Sequence, residues 1–197
     1  MVDIAEYRRY VSLLVHYACG GKDGRAETDP IYQDVTEGRD TGAYRAQYSS
    51  CGDLAHWLYA RLGVRSRWVN RTELGHYRTG MNVSNIAFHP AAVKPAVDAL
   101  FAPGDVLVVW SRPDTLDSHA IVVMDHQPPF LYTGEYGQPG GALKTRQVST
   151  ASGKPRIGSR TIQRCLPLLS VLETAERLGD LTEPDRPLIS ACEAYPP

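Results

Sequence analysis

Apolar residues recur every three to four positions at the start of the chain. Ile4, Tyr7, Val11, Leu14, Val15 and Ala18 share one face of a helix over 3–18, and "CGG" after it supplies the stop. The pattern is lost over 20–47, where "TDP" and "TEGRDTG" are turn signals, so this stretch reads as a long surface loop. Helical spacing returns over 51–62, with Leu54, Ala55, Leu58 and Leu62 on one face and Gly63 as the stop. "VRSRWVN" (64–70) reads as a short strand, and 91–101 as a short helix in spite of Pro95. Beyond "APGD" the period changes. "VLVVW" (106–110), "HAIVVMD" (119–125), "FLYTGEY" (130–136) and "RTIQRCL" (160–166) are rich in β-branched and aromatic residues and lie between Pro, Gly and Asp turns. They read as successive antiparallel strands, followed by a helix over 168–179 and a proline-bearing tail. Helices first and a meandering sheet second predict an α+β fold.

Composition narrows the class. A chain of 197 residues with 43% hydrophobic content supports one core, read as a single domain over 1–197. With 21 basic and 22 acidic residues the formal charge is -1, which offers no surface for nucleic acid or an anionic membrane. The cluster Arg61, Arg65, Arg67 and Arg71 reads as a solvated helix end and loop. No apolar run approaches the roughly 18 residues of a membrane span, so no membrane insertion is expected. The N-terminus lacks a basic region followed by an apolar core, so synthesis in the cytoplasm without a signal peptide is expected. Four cysteines, Cys19, Cys51, Cys165 and Cys192, are scattered and form no C-x-x-C pair. Reduced thiols are the default, and a disulfide among Cys19, Cys165 and Cys192 stays open if the protein is delivered outside the cytoplasm. No histidine or carboxylate cluster has ligand spacing, so neither metal nor cofactor is expected.

One cysteine stands apart. "YSSCGDLAHWLYARLG" (48–63) puts Cys51 where a loop turns into a helix. The thiolate is the nucleophile, and a helix start offers it unpaired N–H groups and about half a positive charge. Ser49 and Ser50 fit as N-caps, and Asp53 suits the first turn. An imidazole must then hold the proton. His56 lies about 140° around the same helix and points away, reading as a half-buried or surface residue. His16 can face Cys19 on the first helix, and His76, His89 and His126 read as loop residues. His119 is different: it opens the apolar strand "HAIVVMD" at a sheet edge, directly after "PGDVLVVW" and a loop.

A cysteine at a helix start, then "PGDVLVVW", "SHAIVVMD" and "LYTGEYG", resembles the papain-like cell-wall hydrolases, the CHAP and NlpC-type cysteine amidases and endopeptidases. The resemblance covers about 45–137, with 160–167 fitting a further strand; 168–197, a C-terminal helix and tail, lie beyond it. It implies a papain-like fold in which the cysteine helix packs on an antiparallel sheet, the histidine opens the second core strand, and a polar residue on the next strand orients it. The chain has Ser50-Cys51-Gly52-Asp53 where NlpC-type enzymes carry Asp-Cys-Ser-Gly, and its first aromatic residue after the cysteine is Trp57, so the subfamily stays open.

The third residue follows from the hairpin. Asp125 shares a face with His119 but lies six residues, roughly 20 Å, along a straight strand. A five-residue loop over 125–129 pairs Met124 with Phe130 and sets Glu135 directly opposite His119, whereas an even loop would bring Tyr136 opposite and turn Glu135 away. Gln138 is the fallback. The oxyanion donors expected are the Cys51 N–H and, by resemblance, a side chain of Tyr48 or Gln47. The resulting expectation is a cysteine hydrolase with Cys51 as nucleophile, His119 as acid–base and Glu135 as orienting group. Peptidoglycan stem peptides are the substrate the resemblance implies. Action at the cell wall after lysis or delivery fits a phage lysin or an antibacterial effector, the latter with an immunity or delivery partner. A transglutaminase or deamidase shares the acyl-enzyme step, and a degenerate, non-catalytic binding module is the alternative of another class.

Overall fold

The computed structural model of the protein describes residues 2–20, 25, 29–36, 51–65, 91–96, 98–110, 118–136, 143–150, 156–157 and 160–195. Helix α1 (Ile4–Cys19) begins where the Asp3 carboxylate accepts the Ala5 and Glu6 amides at 3.1 and 3.2 Å, and it buries Tyr10, Val11, Leu14, Val15 and Ala18. Helix α2 (Pro30–Thr36) lies inside the stretch expected to be loop. The "TDP" turn is in fact its start: Asp29 Oδ1 accepts the Ile31 amide at 2.8 Å, Pro30 holds the first position, and Tyr32 and Val35 are buried. Helix α3 (Asp53–Arg61) follows Cys51. Its Arg61 is not merely solvated, because the guanidinium pairs with Asp34 at 2.8 Å and Asp185 at 3.0 Å and lies over the Trp57 ring. Arg67 and Arg71 lie outside the described residues.

The described residues of 91–101 form no helix. Val93 instead exchanges backbone hydrogen bonds of 2.7 and 2.8 Å with Cys165, and Pro95 has no N–H to give a helix. Of the strand expected at 64–70, Val64 makes one isolated bridge to Leu181, and 66–70 lie outside the described residues. The anticipated strands are β1 (Val106–Trp110), β2 (Ser118–Gln127), β3 (Phe130–Glu135) and β6 (Arg160–Leu166); β4 (Lys144–Ser149) and β5 (Arg156–Ile157) were not anticipated. They form one antiparallel sheet in the order β4-β3-β2-β1-β6-β5. Helix α4 (Leu168–Leu178) falls where expected. The tail carries a further helix, α5 (Arg186–Glu193), which Asp185 caps by accepting the Leu188 amide at 3.2 Å, with Pro187 in the first turn where its missing N–H costs nothing.

Alternation along the strands divides the core in two. Val106, Val108, Ala120 and Val122 pack against α1, α3 and α4, whereas Leu107, Val109, Ile121, Val123, Leu131 and Ile162 form a second cluster with Phe101 on the other face. The Pro-Gly-Asp turn joins these layers. Gly104 has φ +91°, and a Cβ there would lie 2.6 Å from Leu168 Cδ2 and 2.9 Å from Val11 Cγ2, so only glycine lets β1 start so close to α1 and α4. The Asp105 carboxylate accepts the Ala102 and Leu168 amides, both at 3.0 Å, and thereby ties the entrance of β1 to the start of α4. The α+β class is as expected. No helix among the described residues is long and apolar enough to cross a membrane.

Candidate active site

Cys51 occupies the turn before α3, and Gly52 rather than a serine is the N-cap, so the helix start has no side-chain cap. Ser49 and Ser50 lie outside the described residues. The β2–β3 ladder is last paired at Ile121 and Glu135, and the next amide of β2, that of Ala120, donates to Cys51 Sγ at 3.4 Å. The sulfur thus sits at the end of the ladder, where a backbone donor meets it and the ring of His119 is within reach. His119 is buried, at 4% exposure, and is hydrogen-bonded to both Cys51 and Glu135, with Nε2 at 3.3 Å from Glu135 Oε2.

The electrostatics follow from these contacts. Burial alone pulls the His119 pKa down, but hydrogen bonding to Cys51 and Glu135 and their negative charge outweigh it and hold the pKa above the usual histidine value. Burial pushes Glu135 up, yet the bond to His119 and its charge, the Thr133 hydroxyl at 2.9 Å and the nearby Arg146 bring it below the ordinary carboxylate range. Arg146 Nε lies 3.8 Å from Glu135 Oε2. The site therefore favours an imidazolium beside an ionised carboxylate.

The contact between Glu135 and His119 is the expected one, but its register is not. The hairpin turn is two residues, Pro128 and Pro129, rather than five, and β2 continues to Gln127. Glu135 stands opposite Ile121, so its carboxylate reaches His119 diagonally along the shared face. A bulge between Val123 and Asp125 makes this geometry available. Without the extra residue, the pairing that begins at Gln127 and Phe130 would turn Glu135 to the helical face. Gly134 faces the helices instead, and a Cβ there would lie 2.3 Å from Val15 Cγ1, so glycine lets α1 press against β3 beside the carboxylate.

Asp125 is no partner of His119; it accepts the His126 amide at 2.8 Å and the Gln127 side chain at 2.6 Å. Gln138, Tyr48 and Gln47 lie outside the described residues, as do His76 and His89. His56 is buried rather than half-buried or at the surface. His126 belongs to β2 rather than a loop: its Nδ1 accepts the Phe101 amide at 3.1 Å, the rings stack, and burial keeps its pKa below the usual value. All four cysteines are free thiols. Burial pushes the Cys19 pKa up to about 12, that of Cys192 to about 11 and that of Cys165 well above the usual thiol range. Among the described residues no group of three or more His, Cys, Asp or Glu side chains could hold a metal ion. Thr133 and Arg146 had not been singled out in the sequence. The period-2 spacing of Thr133 and Glu135 was the available signal for the first.

No family model matches the chain, and no curated protein matches it. Two solved structures share a partial likeness. "The crystal structure of Ly7917" is 14% identical over 84% of this chain, with a TM-score of 0.45. "The crystal structure of Ly7917 with the hydrolyzing product of MDP" is 10% identical over 81%, also with a TM-score of 0.45. This chain spans 62% of the length of each.

Proposed function

We propose that the protein is a papain-like cysteine hydrolase that cleaves an amide bond in the stem peptides of peptidoglycan. One observation carries the reading: a buried imidazole is hydrogen-bonded both to the Cys51 thiol before α3 and to a carboxylate, whose Oε2 lies 3.3 Å from its Nε2. In this reading the Cys51 thiolate attacks the amide carbonyl, and His119 holds the thiol proton as imidazolium. His119 then gives that proton to the leaving amine, and water, deprotonated by the same ring, hydrolyses the thioester. Glu135 orients the ring and stabilises its charge. The Cys51 N–H at the start of α3 is the first oxyanion donor, with Tyr48 or Gln47 as the second. The choice of peptidoglycan rests on the resemblance of "PGDVLVVW", "SHAIVVMD" and "LYTGEYG" to cell-wall enzymes.

Purified peptidoglycan digested with the wild type and with Cys51→Ala, followed by mass analysis, tests this. The wild type should release fragments with new amine and carboxyl ends, and Cys51→Ala should be slower by on the order of 10³-fold or more. Fragments joined through new amide bonds would favour the transglutaminase reading instead. Undiminished release by Cys51→Ala would overturn the nucleophile.

A further inference from the structure

Only one oxygen of the Glu135 carboxylate meets His119. Oε2 lies 3.3 Å from Nε2, whereas Oε1 accepts the Thr133 hydroxyl at 2.9 Å. Thr133 is completely buried and stands two residues before Glu135 on the same face of β3. We infer that Thr133 is a positioning residue, whose hydroxyl holds the Glu135 carboxylate with Oε2 turned to His119 and so fixes the ring against Cys51. Its catalytic meaning rests on the proposed hydrolase reading; the contact itself does not.

The physical case is one of removed freedom. The last torsion of a glutamate is broad, so an unanchored carboxylate sweeps a wide arc even when buried. Threonine is stiff at χ1, so its hydroxyl oxygen is held in one place beside the carboxylate. A competing partner makes the anchor necessary. Arg146, on β4 opposite Thr133, brings its Nε to 3.8 Å of the oxygen that serves His119, and its side chain is 37% exposed. A guanidinium prefers both oxygens of a carboxylate. With Oε1 held by Thr133, Glu135 cannot turn both oxygens to Arg146 and leave the ring.

Thr133→Val keeps the shape and removes the donor; Thr133→Ser restores the donor. Two readouts are taken on each: turnover on peptidoglycan, and the His119 titration midpoint by NMR, assigned with His119→Ala. Thr133→Val should lower turnover about tenfold at unchanged KM. It should also move the midpoint down, towards that of Glu135→Gln, and Thr133→Ser should recover both. An unmoved midpoint in Thr133→Val, or a loss that Thr133→Ser does not recover, would overturn the inference. Thr133→Ala replaces Thr133→Val if the latter does not fold. If the wild type cleaves no peptidoglycan, the functional reading fails, and the midpoint alone still decides the positioning role.

Discussion

Glu135 and Asp105 are two buried carboxylates in one small protein, and they have opposite electrostatic fates. Asp105 accepts two backbone amides at 3.0 Å, with a smaller electrostatic contribution from Arg8, and burial still holds its pKa above the ordinary range. Glu135 is buried too, but it meets an imidazole, a hydroxyl and a guanidinium, and its pKa is below that range. At Asp105 the two neutral donors lower the pKa by less than burial raises it; at Glu135 charged neighbours join the hydrogen bonds and reverse the balance. The first arrangement makes a staple between β1 and α4. The second keeps a charge ready beside a ring that touches a thiol.

The comparison can be broken by substitution, beginning with the ring. His119→Ala should lower turnover by roughly 10²–10⁴-fold while leaving the protein folded, because it removes the acid–base group. Circular dichroism and initial rates on peptidoglycan check both halves. Next in size is the staple. Asp105→Ala strands the buried Leu168 amide and the part-buried Ala102 amide and should cost about 2–4 kcal/mol in urea unfolding. Glu135→Gln is gentler, since it retains part of the hydrogen bond to the ring; turnover should fall about tenfold, less than for His119→Ala.

The smallest effects lie in the pH dependence, and their signs differ. Glu135 has a lowered folded pKa, so its stabilisation is present above the ordinary value of 4.5 and lost as pH falls through the folded value. His119 has a raised one, so its share is present below 6.5 and lost as pH rises through the folded value. Asp105 is raised as well, so the fold gains stability from it as pH falls towards 3.8. The destabilisation caused by Glu135→Gln should therefore shrink on acidification, whereas that caused by Asp105→Asn should grow. Urea unfolding at a series of acidic pH values reads both slopes.

What was legible in the sequence was whatever a local period or a single special residue announces. Val11, Leu14 and Val15 marked α1, Leu54 and Leu58 marked α3, and the β-branched runs marked four strands. Polar or tertiary-supported elements were not legible. Strand β4, "KTRQVS", is an edge strand with little apolar content, and its register comes from β3. Helix α2 was hidden because Asp29-Pro30 serves equally as a turn or a helix start, and burial of Tyr32 against Tyr136 decides it. At the site, Cys51, His119 and Glu135 were singled out and stand together. The register differs from the expected one because a two-residue turn and a bulge together preserve the same facing as a five-residue loop. The hydroxyl of Thr133 had no motif to advertise it.

Alkylation of the folded protein by iodoacetamide at neutral pH, quantified for each cysteine by peptide mass mapping, tests most directly whether this site activates one thiol. Cys51 should react much faster than Cys19, Cys165 and Cys192, whose thiols burial holds in the neutral form, and His119→Ala should remove that advantage. A Cys51 that labels no faster than the other three, or whose rate is unchanged in His119→Ala, would contradict the account.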